Sequence, residues 1–281
     1  MMPKQLRWFF PLFFWGLVSC SKSDKALRIK GSDTEVNLAV ELAEAFYATN
    51  SEVSLAISGG GSGLGIASLY NGQADIANSS RPLTDDEKRL FADKNIVLLT
   101  NIFAEDATAI VVNSTVSIDE IDVKTLGEVF DGSISNWKEI TGENRPITIY
   151  GRQSNSGTHS FVQQKLGIQF STRAREMNGN AQIMEGIKVD PSGIGYVGAG
   201  YLLNSNHREV KALKIKKNTD DVAISPLDKE AIKHNRYYFQ RPLYQFIPKS
   251  SWQKAKSFID FERSDKGKEI IIKSGYYVMD H

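Results

Sequence analysis

A chain of 281 residues that is 41% hydrophobic and 24% charged is too apolar to be disordered and too mixed to be fibrous. Its length is about twice that of an ordinary domain, which favours one large domain or two lobes. With 34 Lys and Arg against 33 Asp and Glu, the formal net charge of +1 gives no global attraction to nucleic acid or to an anionic surface, so any anion site must be local.

Lys4 and Arg7 precede an apolar stretch from Trp8 to Val18 that is interrupted only by Pro11 and Gly16. This is the pattern of a secretion signal; a helix that spans a bilayer needs about 20 apolar residues. Residues 1–19 are therefore expected to be removed, which takes away the charges of Lys4 and Arg7 and moves the formal charge from +1 to −1. The ending Leu17-Val18-Ser19-Cys20 resembles the bacterial lipobox, in which cleavage falls before the cysteine and the thiol carries a lipid. Cys20 is the only cysteine, so an intramolecular disulfide is excluded. Residues 20–25 then read as a lipidated polar tether.

From Ala26 onward short apolar runs alternate with helical patterns, as in an α/β protein. A strand is expected over Ala26–Ile29, and a helix over Val36–Ala48, where Val36, Ala39, Val40, Ala43, Phe46 and Tyr47 share one face. A strand over Val53–Ile57, a short helix over Gly65–Tyr70 and a strand over Ala74–Ala77 follow. Thr84 to Glu87 has the form of a capping box and opens a charged helix to Asp93. Ile96 to Val112 reads as two apolar runs broken at Glu105-Asp106, where the chain crosses from one compact unit to another. Leu126–Phe130, Ile147–Tyr150, Phe161–Leu166 and Ile194–Val197 supply further elements. Lys211–Asp221 is expected to be a surface loop or hairpin, Tyr237–Phe246 an aromatic strand, and Trp252–Ile272 a closing helix.

Three segments share one design, in which small hydroxyl residues and glycines stand directly before a predicted helix: Gly31-Ser32-Asp33-Thr34, Gly59-Gly60-Gly61-Ser62-Gly63 and Ser154-Asn155-Ser156-Gly157-Thr158. Helix starts carry free N–H groups and a positive dipole end, so each segment can hold an anion with backbone donors and hydroxyls. Each also reads as simple capping or a tight turn when taken alone. Arg152, four residues before Ser156, adds a planar, permanently charged fork. The glycine run lacks the Lys-Ser or Lys-Thr of a P-loop and the G-x-G-x-x-G spacing of a dinucleotide site. A hydrolase with Ser156 or Ser62 as nucleophile lacks a G-x-S-x-G elbow. His159, His207, His234 and His281 show no metal spacing, and Trp137 reads as core.

Together, Gly31-Ser-Asp-Thr34, Gly59-Gly-Gly-Ser-Gly63, Ala74-Asp-Ile-Ala-Asn-Ser-Ser-Arg-Pro82, Arg152-x-x-x-Ser156-Gly-Thr158 and Gly193-Ile-Gly-Tyr196 resemble the phosphate-binding proteins of bacterial ABC importers, over nearly the whole mature chain. The resemblance implies an α/β, two-lobed periplasmic binding protein fold of type II with the ligand in the inter-lobe cleft. It implies lobe 1 over 26–105 plus 240–281 and lobe 2 over 106–239, with crossings near Ala104–Thr108 and Tyr238–Pro242. Phosphate ligands would be Ser32, Asp33, Thr34, Ser62 and Ser80 from the first lobe, and Arg152, Ser156, Gly157 and Thr158 from the second. The protein would be a monomer, without cofactor, metal or catalysis, that passes inorganic phosphate to a transmembrane permease while a lipid on Cys20 holds it at the membrane.

One departure from the family matters. Some relatives carry a carboxylate where this chain has Ser80, and that acid accepts the proton of phosphate and so rejects sulfate. Here Asp33 and Asp106 are the candidate acceptors, and Asp33 fits equally an N-cap of the first helix. The competing readings are a receptor for sulfate, molybdate or a phosphonate, a surface phosphate-ester hydrolase, and a phosphate-sensing or adhesive lipoprotein.

Overall fold

The computed structural model describes residues 26–203 and 208–278. The expected signal, the tether, Cys20, His207 and His281 lie outside these residues.

The chain opens with β1 (Leu27–Gly31), α1 (Val36–Tyr47), β2 (Leu55–Ser58), α2 (Ser62–Tyr70), β3 (Ile76–Ser79), α3 (Asp85–Asp93) and β4 (Leu98–Asn113). It continues through β5 (Glu120–Asp122), α4 (Val123–Asp131), α5 (Lys138–Thr141), β6 (Thr148–Arg152), α6 (Gly157–Leu166), β7 (Arg175–Met177), α7 (Asn180–Val189), β8 (Gly193–Gly198) and α8 (Gly200–Leu203). It ends with β9 (Val210–Ala212), β10 (Lys214–Lys216), α9 (Lys229–Lys233), β11 (Gln240–Pro248), α10 (Trp252–Arg263) and α11 (Asp265–Lys273).

One curled sheet runs in the order β2-β1-β3-β11-β4-β8-β6-β7, with β9 paired to β4, while β5 and β10 form a separate pair. β1, β2 and β3 are mutually parallel, joined through the crossover helices α1 and α2. The chain passes between the two lobes on β4. Its first part, up to Ala107, pairs antiparallel with β11, and its second part, from Thr108, pairs with β8. β11 lies between β3 and β4, so it finishes the first lobe's sheet with a segment from the end of the chain.

Each lobe has its own core. Leu27, Ile29, Leu42, Phe46, Ile247 and Phe258 pack in the first, where the Phe46 and Phe258 rings meet edge to face at 5.5 Å. Ile110, Phe130, Trp137, Ile194, Tyr196 and Phe239 pack in the second. Each such side chain contributes about 1.5–3 kcal/mol by leaving water, which fixes the strand ends that carry the loops of interest.

The capping box is formed, with Thr84 and Glu87 each accepting from the other's backbone N–H. Three expectations need correction. β4 is one strand of 16 residues rather than two runs, because Asp106 and Glu105 find partners across it: Arg241 for the first, the Gln240 amide for the second. The C-terminal helix is two helices, since Ser264 leaves the helical conformation and its hydroxyl accepts from the Gly267 N–H to start α11. The segment from Lys211 first supplies β9 and β10, around buried Leu213, before it turns into solvent.

Candidate anion-binding site

The three loops picked out in the sequence come from separate strand ends and converge on one cleft. Ser32 and Thr34 follow β1, Ser62 opens α2, Ser80 follows β3, and Ser156, Gly157 and Thr158 open α6, which follows β6. All of these hydroxyl residues are buried. The Ser32 hydroxyl lies 2.9 Å from that of Ser80, which lies 3.4 Å from that of Ser62. Across the cleft, the hydroxyls of Thr34 and Thr158 are 2.9 Å apart. Backbone closure accompanies these contacts, as the Gly63 N–H donates to the Asn155 carbonyl at 3.0 Å.

Glycine is required at two of these positions. Gly61, the N-cap of α2, stands at φ 110°, in the region only glycine adopts freely. Gly157 is needed for space, because a Cβ there would stand 2.3 Å from Ser62 Oγ and 2.9 Å from Ser80 Oγ. The bare backbone of the α6 start is thereby pressed against the first lobe's hydroxyls. Ser156 caps α6, its hydroxyl accepting from the His159 N–H.

Two arginines supply positive charge. Arg152, at the end of β6, is buried; Nη2 donates to the Asn178 carbonyl at 2.9 Å, Nη1 lies 3.5 Å from Asp33 Oδ2, and Nε is buried without a partner among the described residues. Burial pulls its pKa down and the Asp33 carboxylate opposes that shift. The Tyr196 hydroxyl accepts from its backbone N–H at 3.0 Å and fixes the end of the strand.

Arg241, at the start of β11, is the second. Its Nη2 donates to Thr158 Oγ1 at 3.0 Å and to Asp106 Oδ2 at 2.8 Å, Nε donates to the same Asp106 oxygen at 3.1 Å, and Nη1 donates to the Ser80 carbonyl at 3.3 Å. Asp106 is fully buried and Oδ1, its other oxygen, has no partner among the described residues. Behind this ring Glu35 is also fully buried with both carboxyl oxygens unpartnered. Burial raises its pKa well above the usual range, against the Ser32 hydroxyl and the Arg241 charge.

Asp33 does not cap its own helix, where no side-chain cap bond forms. Its carboxylate crosses the cleft instead, and Oδ2 accepts from the N–H of Asn180 at 2.7 Å and from its side-chain amide at 2.9 Å. The cleft therefore brings together the anion-site residues expected from the sequence, with the Asp33 carboxylate turned to Asn180 of the opposite wall and Asp106, on β4, paired with Arg241.

Sequence reasoning missed Arg241, Asn180 and Glu35. An arginine and a glutamate inside apolar patterns are the available signals for two of them. Asn178-Gly179-Asn180 repeats, before α7, the small-residue design of the other three loops. His159 packs its ring on Phe170 at 4.7 Å and meets Ser156 only through its backbone N–H, so the pair is not a nucleophile and base. Among the described residues no cluster of His, Cys, Asp and Glu could hold a metal ion.

A family model described as a PBP superfamily domain matches residues 20–266. The chain belongs to the PBP superfamily. Among its curated relatives within this superfamily, the phosphate-binding protein PstS of Borreliella burgdorferi is 28% identical over 272 residues, covering 92% of this chain and 93% of that one. PstS of Staphylococcus saprophyticus is 27% identical, covering 90% and 80% respectively. Of the solved structures, an ABC-type phosphate transport receptor from Vibrio cholerae superposes with a TM-score of 0.69 at 28% identity, over 90% of this chain and 100% of that one. A phosphate-bound substrate-binding protein from Clostridium perfringens superposes with a TM-score of 0.80 at 24% identity, over 91% and 100%, and shows the shared fold. The PBP fold places the cleft described above between its two lobes.

Proposed function

We propose that this protein captures inorganic phosphate outside the cytoplasmic membrane and delivers it to the permease of an ABC importer. The observation that carries this reading is the closed, buried ring of hydroxyls, helix starts and two arginines, which leaves Arg152 Nε as an unpartnered donor and Asp106 Oδ1 as an unpartnered acceptor among the described residues, a pair suited to a protonated oxyanion. Relatives named for phosphate binding support it. It is a binding protein, not an enzyme.

The ligands are Ser32, Thr34, Ser62, Ser80, Arg152, Ser156, Gly157 and Thr158, with Arg241 added and Asp33 acting from the rim. A charge-assisted hydrogen bond contributes about 1.5–3 kcal/mol, and micromolar binding needs about 8 kcal/mol. This donor set exceeds that need, and the surplus offsets desolvation of the anion and closure of the lobes. We assign the proton-accepting role to Asp106 rather than Asp33. Arg241 occupies one Asp106 oxygen and leaves the other for a phosphate O–H, whereas sulfate, with no proton at neutral pH, would set its oxygen against the carboxylate. That electrostatic penalty is what favours phosphate over other oxyanions.

The lobes comprise 26–105 with 240–281, and 106–239. Cys20 carries a lipid that holds the otherwise monomeric protein at the membrane surface; no helix among the described residues is long and apolar enough to cross it. Metabolic labelling with a palmitate analogue checks this, and labelling that persists in Cys20→Ala overturns it. The central test is calorimetric titration of residues 21–281, freed of bound anion, with phosphate and then sulfate at neutral pH. One-to-one phosphate binding at micromolar strength or tighter, with sulfate ignored, is expected. Absence of phosphate binding defeats the reading.

A further inference from the structure

We infer that Asp33 is a latch between the lobes: a first-lobe carboxylate that caps the start of α7 in the second lobe and orients Arg152, so that it governs how long phosphate stays bound rather than which anion is chosen. This rests on the phosphate reading above.

α7 has 10 residues and its own N-cap, Gly179, offers no side chain, so no residue of the second lobe's own loop caps it. The acceptor comes from 147 positions earlier in the chain, where Asp33 Oδ2 receives both the Asn180 N–H and the Asn180 side-chain amide. A carboxylate at a helix start gains from the free N–H groups and from the dipole together. The geometry leaves room for nothing bulkier, since a Cβ on Gly179 would stand 2.9 Å from both Asp33 carboxylate oxygens. Asn180 is itself held, its Oδ1 accepting from the Gly198 N–H at 3.3 Å. On the other side the same Asp33 oxygen faces Arg152 Nη1, and the Tyr201 hydroxyl of the second lobe donates to the Asp33 carbonyl at 3.0 Å.

All of these partners lie across the cleft, so opening the lobes breaks the whole set at once. The α7 start then loses its cap and Arg152 loses its carboxylate. A contact present only in the closed form shifts the open–closed equilibrium by its full strength, and its loss is felt in the release rate, since the encounter of phosphate with the open cleft does not use it. Because Asp106 remains, discrimination against sulfate is untouched.

The test is stopped-flow phosphate binding and release on residues 21–281, with wild type, Asp33→Ala, Asp33→Asn and Asn180→Ala. Wild-type calorimetry decides the phosphate reading itself; the variants decide the latch. Asp33→Ala is expected to release phosphate about 10- to 100-fold faster, the size of a lost charge-assisted pair, with the association rate within about 3-fold of wild type. Asp33→Asn, which keeps an acceptor for the Asn180 N–H but no charge for Arg152, should fall between the two. Adding Asn180→Ala to Asp33→Ala should cost less than Asn180→Ala costs alone. Hydrogen exchange gives a second readout: protection of the Asn180 amide by phosphate in wild type should be lost in Asp33→Ala while the α7 interior stays protected. An unchanged release rate in Asp33→Ala overturns the latch. So does a gain of sulfate competition in that variant, which would place the Asp33 carboxylate on the ligand as its proton acceptor.

Discussion

The two walls of the cleft are built from different chemistry. The first lobe presents neutral hydroxyls, Ser32, Ser62 and Ser80, linked in a chain and backed by Glu35, whose pKa is pushed well above the usual range by burial. The second presents Arg152 and the α6 start, with Arg241 reaching in from the crossing strand to touch both sides. Neither wall alone both neutralises and encloses a multiply charged anion. The first lobe offers hydroxyl donors and Arg241, whose charge is already paired with Asp106, and the second offers charge that is already shared with Asp33 and Asn178. A complete site therefore exists only when the lobes meet, which ties recognition of the anion to closure.

Substitutions on each wall sharpen this contrast. The largest effect is expected from Arg152→Ala, which removes the second wall's charge. Loss of a buried charge partner costs about 3–5 kcal/mol, so phosphate affinity should fall about 1,000-fold in calorimetry, while the melting temperature moves only a few degrees. Near-native affinity would mean that the second wall's charge is dispensable. Next comes Gly157→Ala, which changes no charge. Its Cβ would fall 2.3 Å from Ser62 Oγ, forcing the walls apart at a cost of about 1–3 kcal/mol; a roughly 10- to 100-fold weaker affinity and a larger phosphate-bound radius of gyration by small-angle scattering should result.

Asp106→Asn should weaken phosphate less, about 10-fold, by analogy with the net worth of one hydrogen bond to a charged group. It should also admit sulfate as a competitor, since an amide can donate to an unprotonated oxygen. An unchanged preference for phosphate would move the acceptor elsewhere.

The smallest effect on binding belongs to the first lobe's buried acids, where the effect is on stability. Burial lifts Glu262 to about 8 from an ordinary 4.5, against the Gln245 amide that donates to it at 2.9 Å. The folded protein keeps a proton that the unfolded chain releases, so this stabilising contribution is whole below about 4.5 and is lost as pH rises toward 8. Glu262→Gln cannot ionise in either state. Urea unfolding of the variant should show a flatter stability between pH 5 and pH 8, a gain of about 1–3 kcal/mol at the upper end, with phosphate affinity unchanged.

Much of this arrangement was legible in the sequence because it is local. Glycines and hydroxyls before helical periods mark helix starts whatever surrounds them, and Ser62, Ser156 and Thr158 lie where those patterns put them. What could not be read is what depends on partners far along the chain. Glu105-Asp106 looked like a break in an apolar run because an acid pair in a strand is costly alone; Arg241 on β11 removes that cost and β4 runs straight through. Asp33 had the local signature of a helix cap, and it does cap a helix, but one in the opposite lobe. The C-terminal segment departs from a single helix for a local reason, since the Ser264 hydroxyl accepts from the Gly267 N–H and starts a second helix.

The position of β11 also sets an order of assembly. The buried residues of the second core all lie between Ala107 and Phe239, so that core can pack as soon as this run is available. The first lobe has β1, β2 and β3 early but leaves β3 and the first part of β4 without the strand that joins them until Gln240–Pro248 arrives. Pairings of such long sequence separation form slowly, because the loop-closure entropy is spent before the contacts return it. An incomplete chain thus carries a finished second lobe and a first lobe with open edges, and the anion site, which needs both, can form only after nearly the whole chain has been made.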